Sequence, residues 1–364
     1  MDGCDSTAVQ AFAGRFLDDV SGGMTSVLCA LGDRLGLFRA LADGGPAGSA
    51  ELAARAGLDE RPVREWLLGL SSAGYLDVVR HTGEDPTDED PVFSLSPEHA
   101  AVLARDDSPF FLGGAAGLVP ALAGMLEPVA ETFRSGGGVP QEAYPEALYR
   151  TMWRMSASWL GTLLLPQWIP AVDGLAGRLA DGGRVAHLGS GGGHALVLIA
   201  GAFPRARCTG YDRLRLHVDR ARREAADAGV ADRVEFVHGD AADLLPGTGD
   251  HALVLALDVL HDAPDPAAAL RAVRAALADD GVLLLLESAG AERAADNQGA
   301  AAALLYGASV LYSVPVSLAA KGRAPGMLGL PAGELRALCA GAGLRSVRQL
   351  PPPTPLNALY AIRP

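Results

Sequence analysis

The chain has 364 residues, 49% of them apolar and 20% charged, enough for two domains and too apolar for a disordered chain. Thirty basic residues against 43 acidic ones leave a formal net charge of −13, which disfavours nucleic-acid backbones and anionic membrane surfaces as partners. Lys321 is the sole lysine and follows Ala320, so a phosphate-cradling Gly-Lys-Ser/Thr loop is excluded, and Ser317 stands where a Tyr-x-x-x-Lys pair needs tyrosine.

From about Ala13 to Leu103 the pattern is helical with short loops. GDRLGLFRAL gives one helix, SAELAARAGL a second with Ser49 as N-cap, and RPVREWLLGLSSAGYL a third with Asp59 as N-cap. LDVVRHTGEDPTDEDPVFSLS then reads as a β-hairpin, and three helices plus a hairpin make a winged helix-turn-helix. Such a module serves either as a DNA reader or as a dimerisation or substrate-lid domain. Charge separates the two: Asp59, Glu60 and Glu65 offset Arg61 and Arg64, and the hairpin tip carries Glu84, Asp85, Asp88, Glu89 and Asp90. Phosphates would be repelled, so dimerisation is expected and nucleic acid is not.

Ser108 to Leu179 is apolar and helical, with Met152, Trp153, Met155, Trp159 and Trp168 clustered as core or as the lining of a pocket for an apolar ring. Two uncharged stretches, Ser108–Leu126 and Asn297–Ala320, are long enough to cross a membrane. Gly113, Gly114, Pro120, Gly307 and Pro315 break them, and buried helices are expected instead. Cys4, Cys29, Cys208 and Cys339 show no paired spacing, so neither zinc nor a disulfide framework is indicated. The start, MDGCDSTAVQ, lacks the basic and apolar regions of a signal peptide, and a cytoplasmic location is expected.

The last zone alternates strand and helix. RVAHLG, ARCTGYD, RVEFVHGD, HALVLALD and VLLLLES are apolar strands separated by helices, one of them opened by Asp265 and Pro266, and RSVRQL and NALYAIRP close the chain as a strand pair. This predicts an α/β fold with a parallel sheet covered on both faces. Ligands of such sheets bind at the carboxyl ends of the strands. There HLGSGGGH supplies Gly189, Ser190, Gly191 and Gly193 in G-x-G-x-G spacing, with His194 breaking the dinucleotide pattern. Asp212 ends the second strand, Asp240 follows the third and Asp258 the fourth. Acids there suit a nucleoside with hydroxyl and amino donors and no phosphate, and S-adenosylmethionine matches.

RVAHLGSGGG, TGYD, FVHGDAADL, LALDVLHDAPDP and GVLLLLES resemble the ordered motifs of class I S-adenosylmethionine-dependent methyltransferases. More narrowly, the chain is similar to small-molecule O-methyltransferases with an N-terminal winged-helix dimerisation domain, a bacterial branch above all, through GDRLGLFRALADGG, LDERPVREWL, DSPFFLGG and DNQGAAAALLYGASVLYSVPVSLA. The resemblance implies a winged-helix domain over 1–105, a helical linker and substrate lid over 106–180, and a Rossmann-like catalytic domain over 181–364 with an antiparallel last strand, in a homodimer. It implies cofactor contacts from Gly189, Ser190, Gly191, Gly193, Asp212, Arg213, Asp240, Ala241 and Asp258. His261 matches the general base and Glu287 an acid that orients it, while Trp153, Met155, Tyr306 and Tyr312 are candidate pocket walls. The family's usual acid before the glycine loop is His187 here, and its second orienting acid has no counterpart near Met327–Leu330. Asp296-Asn297 superficially resembles a metal-ligand pair but falls off the strand end, so no metal is expected. The expected reaction is methylation of a hydroxyl on a small aromatic secondary metabolite. S- or N-methylation, a repurposed non-methylating activity and a DNA-binding regulator are the alternatives.

Overall fold

The computed structural model describes residues 4–79, 91–352 and 354–364. The acidic hairpin tip from Glu84 to Asp90 lies outside them. In chain order the elements are α1 (Ser6–Arg34), α2 (Leu37–Gly44), α3 (Ser49–Ala56), α4 (Glu60–Ser72), β1 (Asp77–Val79), β2 (Val92–Ser94), α5 (Pro97–Leu103), α6 (Leu118–Ala123), α7 (Leu126–Ser135), α8 (Glu146–Leu163) and α9 (Leu175–Ala180). There follow β3 (Arg184–Leu188), α10 (His194–Ala202), β4 (Arg207–Asp212), α11 (Arg215–Asp227), β5 (Val234–His238), α12 (Ala241–Leu244), β6 (His251–Leu257), α13 (Pro266–Ala276) and β7 (Leu277–Ser288). The chain ends with α14 (Gly299–Ala308), α15 (Val314–Ala319), α16 (Ala332–Gly341), β8 (Ser346–Leu350) and β9 (Asn357–Arg363).

Two compact units result: Met1–Ala123 with Glu146–Ser158, and Gly124–Pro145 with Trp159–Pro364. In the first, β1 and β2 pair antiparallel, with Asp77 opposite Ser94, as the winged-helix reading requires. Its core gathers Leu37, Phe38 and Leu41 from α2, Leu52 from α3, Trp66 and Leu67 from α4, and Phe93 from β2. Gly32 lets α1 and α4 approach closely, since a Cβ there would lie 2.3 Å from the Trp66 ring. Asp59 caps α4 through the Arg61 amide as expected. The cap of α3 is instead Gly48; Ser49 is the first helical residue, and its hydroxyl is spent on the Glu60 carboxylate. The pull of a tertiary carboxylate partner outweighed the local capping preference of serine.

The second unit is built on a seven-stranded sheet of order β5-β4-β3-β6-β7-β9-β8. Strands β3 to β7 are parallel, and β9 runs antiparallel to both β7 and β8. The strands are apolar on both faces, and alternate residues divide cleanly. Leu253, Leu255, Val282 and Leu284 enter one core, whereas Val254, Ala256, Leu283 and Leu285 enter the other. Strand order reverses between β3 and β6, which opens a crevice at their carboxyl ends.

The run Gly299–Ala319 is long and apolar enough to cross a membrane, with mean hydropathy 1.6, but 44% of it is buried within the protein. It is not one regular helix, because Ser309–Ser313 is a π-helical turn between α14 and α15.

Candidate active site

The glycine loop between β3 and α10 is left-handed at Gly189, Gly191 and Gly193, with φ of 61°, 53° and 87°. Its close packing also demands glycine: a Cβ at Gly193 would lie 2.7 Å from both Ala221 and Phe236. Asp212 fixes the loop from the neighbouring strand. Its Oδ2 accepts the Gly191 N–H at 2.8 Å, and its Oδ1 accepts the Leu214 N–H at 2.9 Å and His217 Nδ1–H at 3.0 Å. Three donors leave part of the carboxylate's accepting capacity for a ligand hydroxyl. His217, which sequence reasoning missed, sits five residues beyond Asp212, in the first turn of α11.

Asp240 caps α12 through the Ala242 N–H at 2.9 Å and lies 3.8 Å from Arg213, while Ala241 is buried beside it. His187 is 4% exposed, and neither ring nitrogen nor the buried Ser190 hydroxyl has a hydrogen-bond partner among the described residues. Burial pushes the His187 pKa down to about 4 against the pull of Asp212, so the imidazole is neutral. Orphaned polar atoms under a tight glycine loop, with acids at two neighbouring strand ends, fit a phosphate-free nucleoside with hydroxyl and amino groups.

Beyond β6, a 3-10 turn over Leu260–Asp262 holds the second cluster. Glu287, 1% exposed at the end of β7, accepts the Leu260 N–H at 2.8 Å on one oxygen and His261 Nδ1–H at 2.6 Å on the other. Turn and imidazole are thus locked by one carboxylate. His261 Nε2 faces Asp262 Oδ1 at 3.5 Å. Burial alone would lower the His261 pKa, but Asp262, Glu287 and Asp258 outweigh it and raise it well above the usual value. The second carboxylate beside the imidazole is therefore Asp262, not a residue near Met327–Leu330. It was legible only as the residue following His261.

The candidate pocket residues fall in different places. Trp153 and Met155 lie half-buried on α8 within the first unit, with Met155 packed near Gly114. Tyr306 is 39% exposed, and its hydroxyl meets Asn297 and the Ala294 carbonyl at 3.4 Å. Tyr312 is buried on the π-turn, edge-on to Tyr144 at 4.9 Å, and its hydroxyl accepts from Gln141 at 3.0 Å. Burial and the Asp262 charge push the Tyr144 phenol up, which ties this aromatic pair to the His261 turn.

A glycine-loop nucleoside cradle beside a buried histidine–carboxylate pair, on a sheet closed by an antiparallel strand, defines a Rossmann-like enzyme unit in a chain that also carries a winged helix. Comparison with known proteins agrees. Residues 23–105 match the Rv2258c-like winged HTH domain, and residues 186–283 match a methyltransferase domain, so the chain carries both. A stretch of 67 residues, 18% of the chain, is 39% identical to trans-aconitate 2-methyltransferase of Streptomyces coelicolor, and spans only 22% of that relative's length. Among solved structures, human N-acetylserotonin methyltransferase in complex with SAM superposes with TM-score 0.66 at 20% identity, covering 100% of this chain and 99% of that one. The mitomycin 7-O-methyltransferase MmcR gives 0.63 at 22% identity over 98% and 99%. An O-methyltransferase family protein of Burkholderia thailandensis gives 0.63 at 19% identity over 99% and 98%.

Proposed function

We propose that the second unit transfers a methyl group from S-adenosylmethionine to a hydroxyl of a small aromatic metabolite. The observation that carries this reading is the buried His261–Glu287 pair set beside a phosphate-free nucleoside cradle. The bound cofactor supplies an electrophilic methyl on a sulfonium. Gly189, Ser190, Gly191 and Gly193 hold its methionyl part, Asp212 and Arg213 its ribose side, and Asp240 and Ala241 its adenine, with Asp258 beside the methionyl end. Charge disperses as a sulfonium loses its methyl, so most of the acceleration comes from collinear positioning in a dry site. A phenol keeps its proton at neutral pH and needs a base, and His261, oriented by Glu287, belongs to the proton-accepting cluster. The neighbour named for 7-O-methylation supports a hydroxyl acceptor, and the buried Tyr144–Tyr312 pair supports an aromatic one. Three buried free cysteines, Cys29, Cys208 and Cys339, support a reducing, cytoplasmic setting. Exposed apolar side chains along α1 support a homodimer.

The test is methyl-labelled S-adenosylmethionine mixed with a small-molecule extract of the host. Label should pass to a hydroxylated aromatic compound, and His261→Ala should cripple that transfer while sparing a thiol acceptor. Binding of the cofactor without any label transfer would favour the repurposed, non-methylating reading.

A further inference from the structure

His261 lies behind the accessible surface of its own site. Its side chain is 2% exposed, Nδ1 is committed to Glu287, and Nε2 faces Asp262 at 3.5 Å. Two acceptors meet there unless Nε2 carries a proton. Asp258, just past the end of β6, is by contrast exposed. Its φ of 57° is left-handed, which for aspartate costs about 1 kcal/mol or more and clusters at functional sites. Its amide still donates to the Leu286 carbonyl at 2.8 Å, so the strand pairing continues through the strained residue. One carboxylate oxygen of Asp258, a ring nitrogen of His261 and an oxygen of Glu287 lie within 4.8 Å of one another.

We propose that Asp258 is a catalytic residue, the first group to take the proton from the acceptor hydroxyl, with the His261–Glu287 pair behind it. This rests on the methyltransferase reading above. The acceptor's O–H bond breaks as its oxygen bonds the methyl carbon, and the proton passes to the Asp258 carboxylate. The electrons of the breaking sulfur–methyl bond stay on sulfur, so the sulfonium becomes a neutral thioether. Charge balances, because one cation and one carboxylate are both neutralised. When His261 is neutral the proton moves on to it; when it is an imidazolium, solvent removes the proton from Asp258. Asp258 is the first stop in either case.

The surroundings suit this role. The residue is exposed as a whole, but its carboxyl lies within 4.8 Å of buried His261 and Glu287, and desolvation there raises the Asp258 pKa to about 6; His261 opposes the rise, and Glu287 and Asp262 add to it. A base is most useful when its pKa lies near the working pH. His261 and Asp262 face it from the 3-10 turn and Glu287 from β7, while Arg213 acts on Asp262 and Asp262 in turn on Tyr144.

The test joins three measurements on full-length wild type, Asp258→Asn, Asp258→Glu and His261→Ala. Calorimetry with S-adenosylmethionine should show Asp258→Asn weakened by no more than about tenfold, the loss of one contact at the methionyl end, while kcat for catechol at saturating cofactor falls about 100-fold or more. The acid limb of the pH profile, near pH 6 in wild type, should vanish in Asp258→Asn and survive in Asp258→Glu. In His261→Ala it should persist and move to higher pH, because a cation opposing the rise is gone. Isotope-edited NMR of the aspartate carboxyls should show one group titrating near 6 that is missing in Asp258→Asn, and if catechol is not methylated the same rate profiles are read on the acceptor labelled in the host extract. A limb that survives in Asp258→Asn and disappears in His261→Ala would overturn the proposal, as would an Asp258 carboxyl titrating at its ordinary value. A large loss of cofactor affinity with kcat preserved would overturn it too. If wild type binds no S-adenosylmethionine at all, the methyltransferase reading itself has failed, which the same calorimetry shows separately.

Discussion

Asp212 shows how one side chain serves structure and ligand together. Its carboxylate is 6% exposed and gathers donors from Gly191, Leu214 and His217, so it ties the glycine loop of one strand to the turn after the next. Charge-assisted bonds of this kind contribute about 1.5–3 kcal/mol each when their loss strands a buried donor. Asp212→Ala should therefore lower the melting temperature as well as cofactor affinity, by at least tenfold in Kd. A variant that loses affinity at an unchanged melting temperature would show the three bonds to be structurally idle. Asp258 makes the opposite trade. Its folded pKa of about 6 exceeds the unfolded value of about 3.9, so the folded state holds an extra proton between those limits. Stability from this group consequently falls as pH rises through that window, and Asp258→Asn should flatten that part of the curve. Asparagine also tolerates a left-handed backbone, so the variant should melt no lower than wild type at pH 7.

At the scale of elements, the alternating C-terminal zone was the most legible part of the chain. Asp265 caps α13 with Pro266 at its first position, and the strands fall within a residue or two of their apolar runs. β7 is the exception: it begins at Leu277, because ALADDG extends the strand through a register irregularity opposite His251 instead of ending the helix. The π-turns Leu164–Trp168 and Ser309–Ser313 left no mark in the sequence, since one extra residue in a helical turn changes register and not composition. The roles of His217 and Asp262 were equally hidden: their partners Asp212 and His261 are near in sequence, but the direction in which each side chain turns is set by local backbone and packing. Arg154 is a further case. From α8 it pairs with Asp33 of α1 at 2.6 Å and with Asp106 at 2.5 Å, and its guanidinium lies 4.7 Å from the centre of the Phe111 ring. The Asp33 side chain is only 19% exposed, so removing its partner leaves a poorly solvated charge. Arg154→Met should destabilise the first unit by about 1–3 kcal/mol in denaturant titration, whereas the exposed pair Arg134–Glu131 should be worth almost nothing on mutation.

For the whole molecule, the unresolved balance is between apolar surface and net charge. Along α1, Val9, Phe12, Phe16, Val20 and Met24 recur at helical spacing on one face, and Phe12, Phe16 and Met24 are each more than 60% exposed. A lone molecule rarely shows water a continuous stripe of this size, and a self-complementary helix face is satisfied by a second copy through twofold symmetry. The net charge of −13 opposes that pairing by repulsion between the copies. Burial is insensitive to ionic strength, whereas the repulsion is screened beyond about 10 Å at 0.1 M salt. Added salt should therefore tighten the proposed dimer, the reverse of an interface held by ion pairs. Light scattering after size exclusion should give twice the chain mass for wild type, and the mass of one chain for Phe12→Glu/Phe16→Glu. That variant should also lose the concentration dependence of its melting temperature, because association stabilises only folded chains. A wild type that is monomeric at every salt concentration would remove the second copy as the occupant of this face.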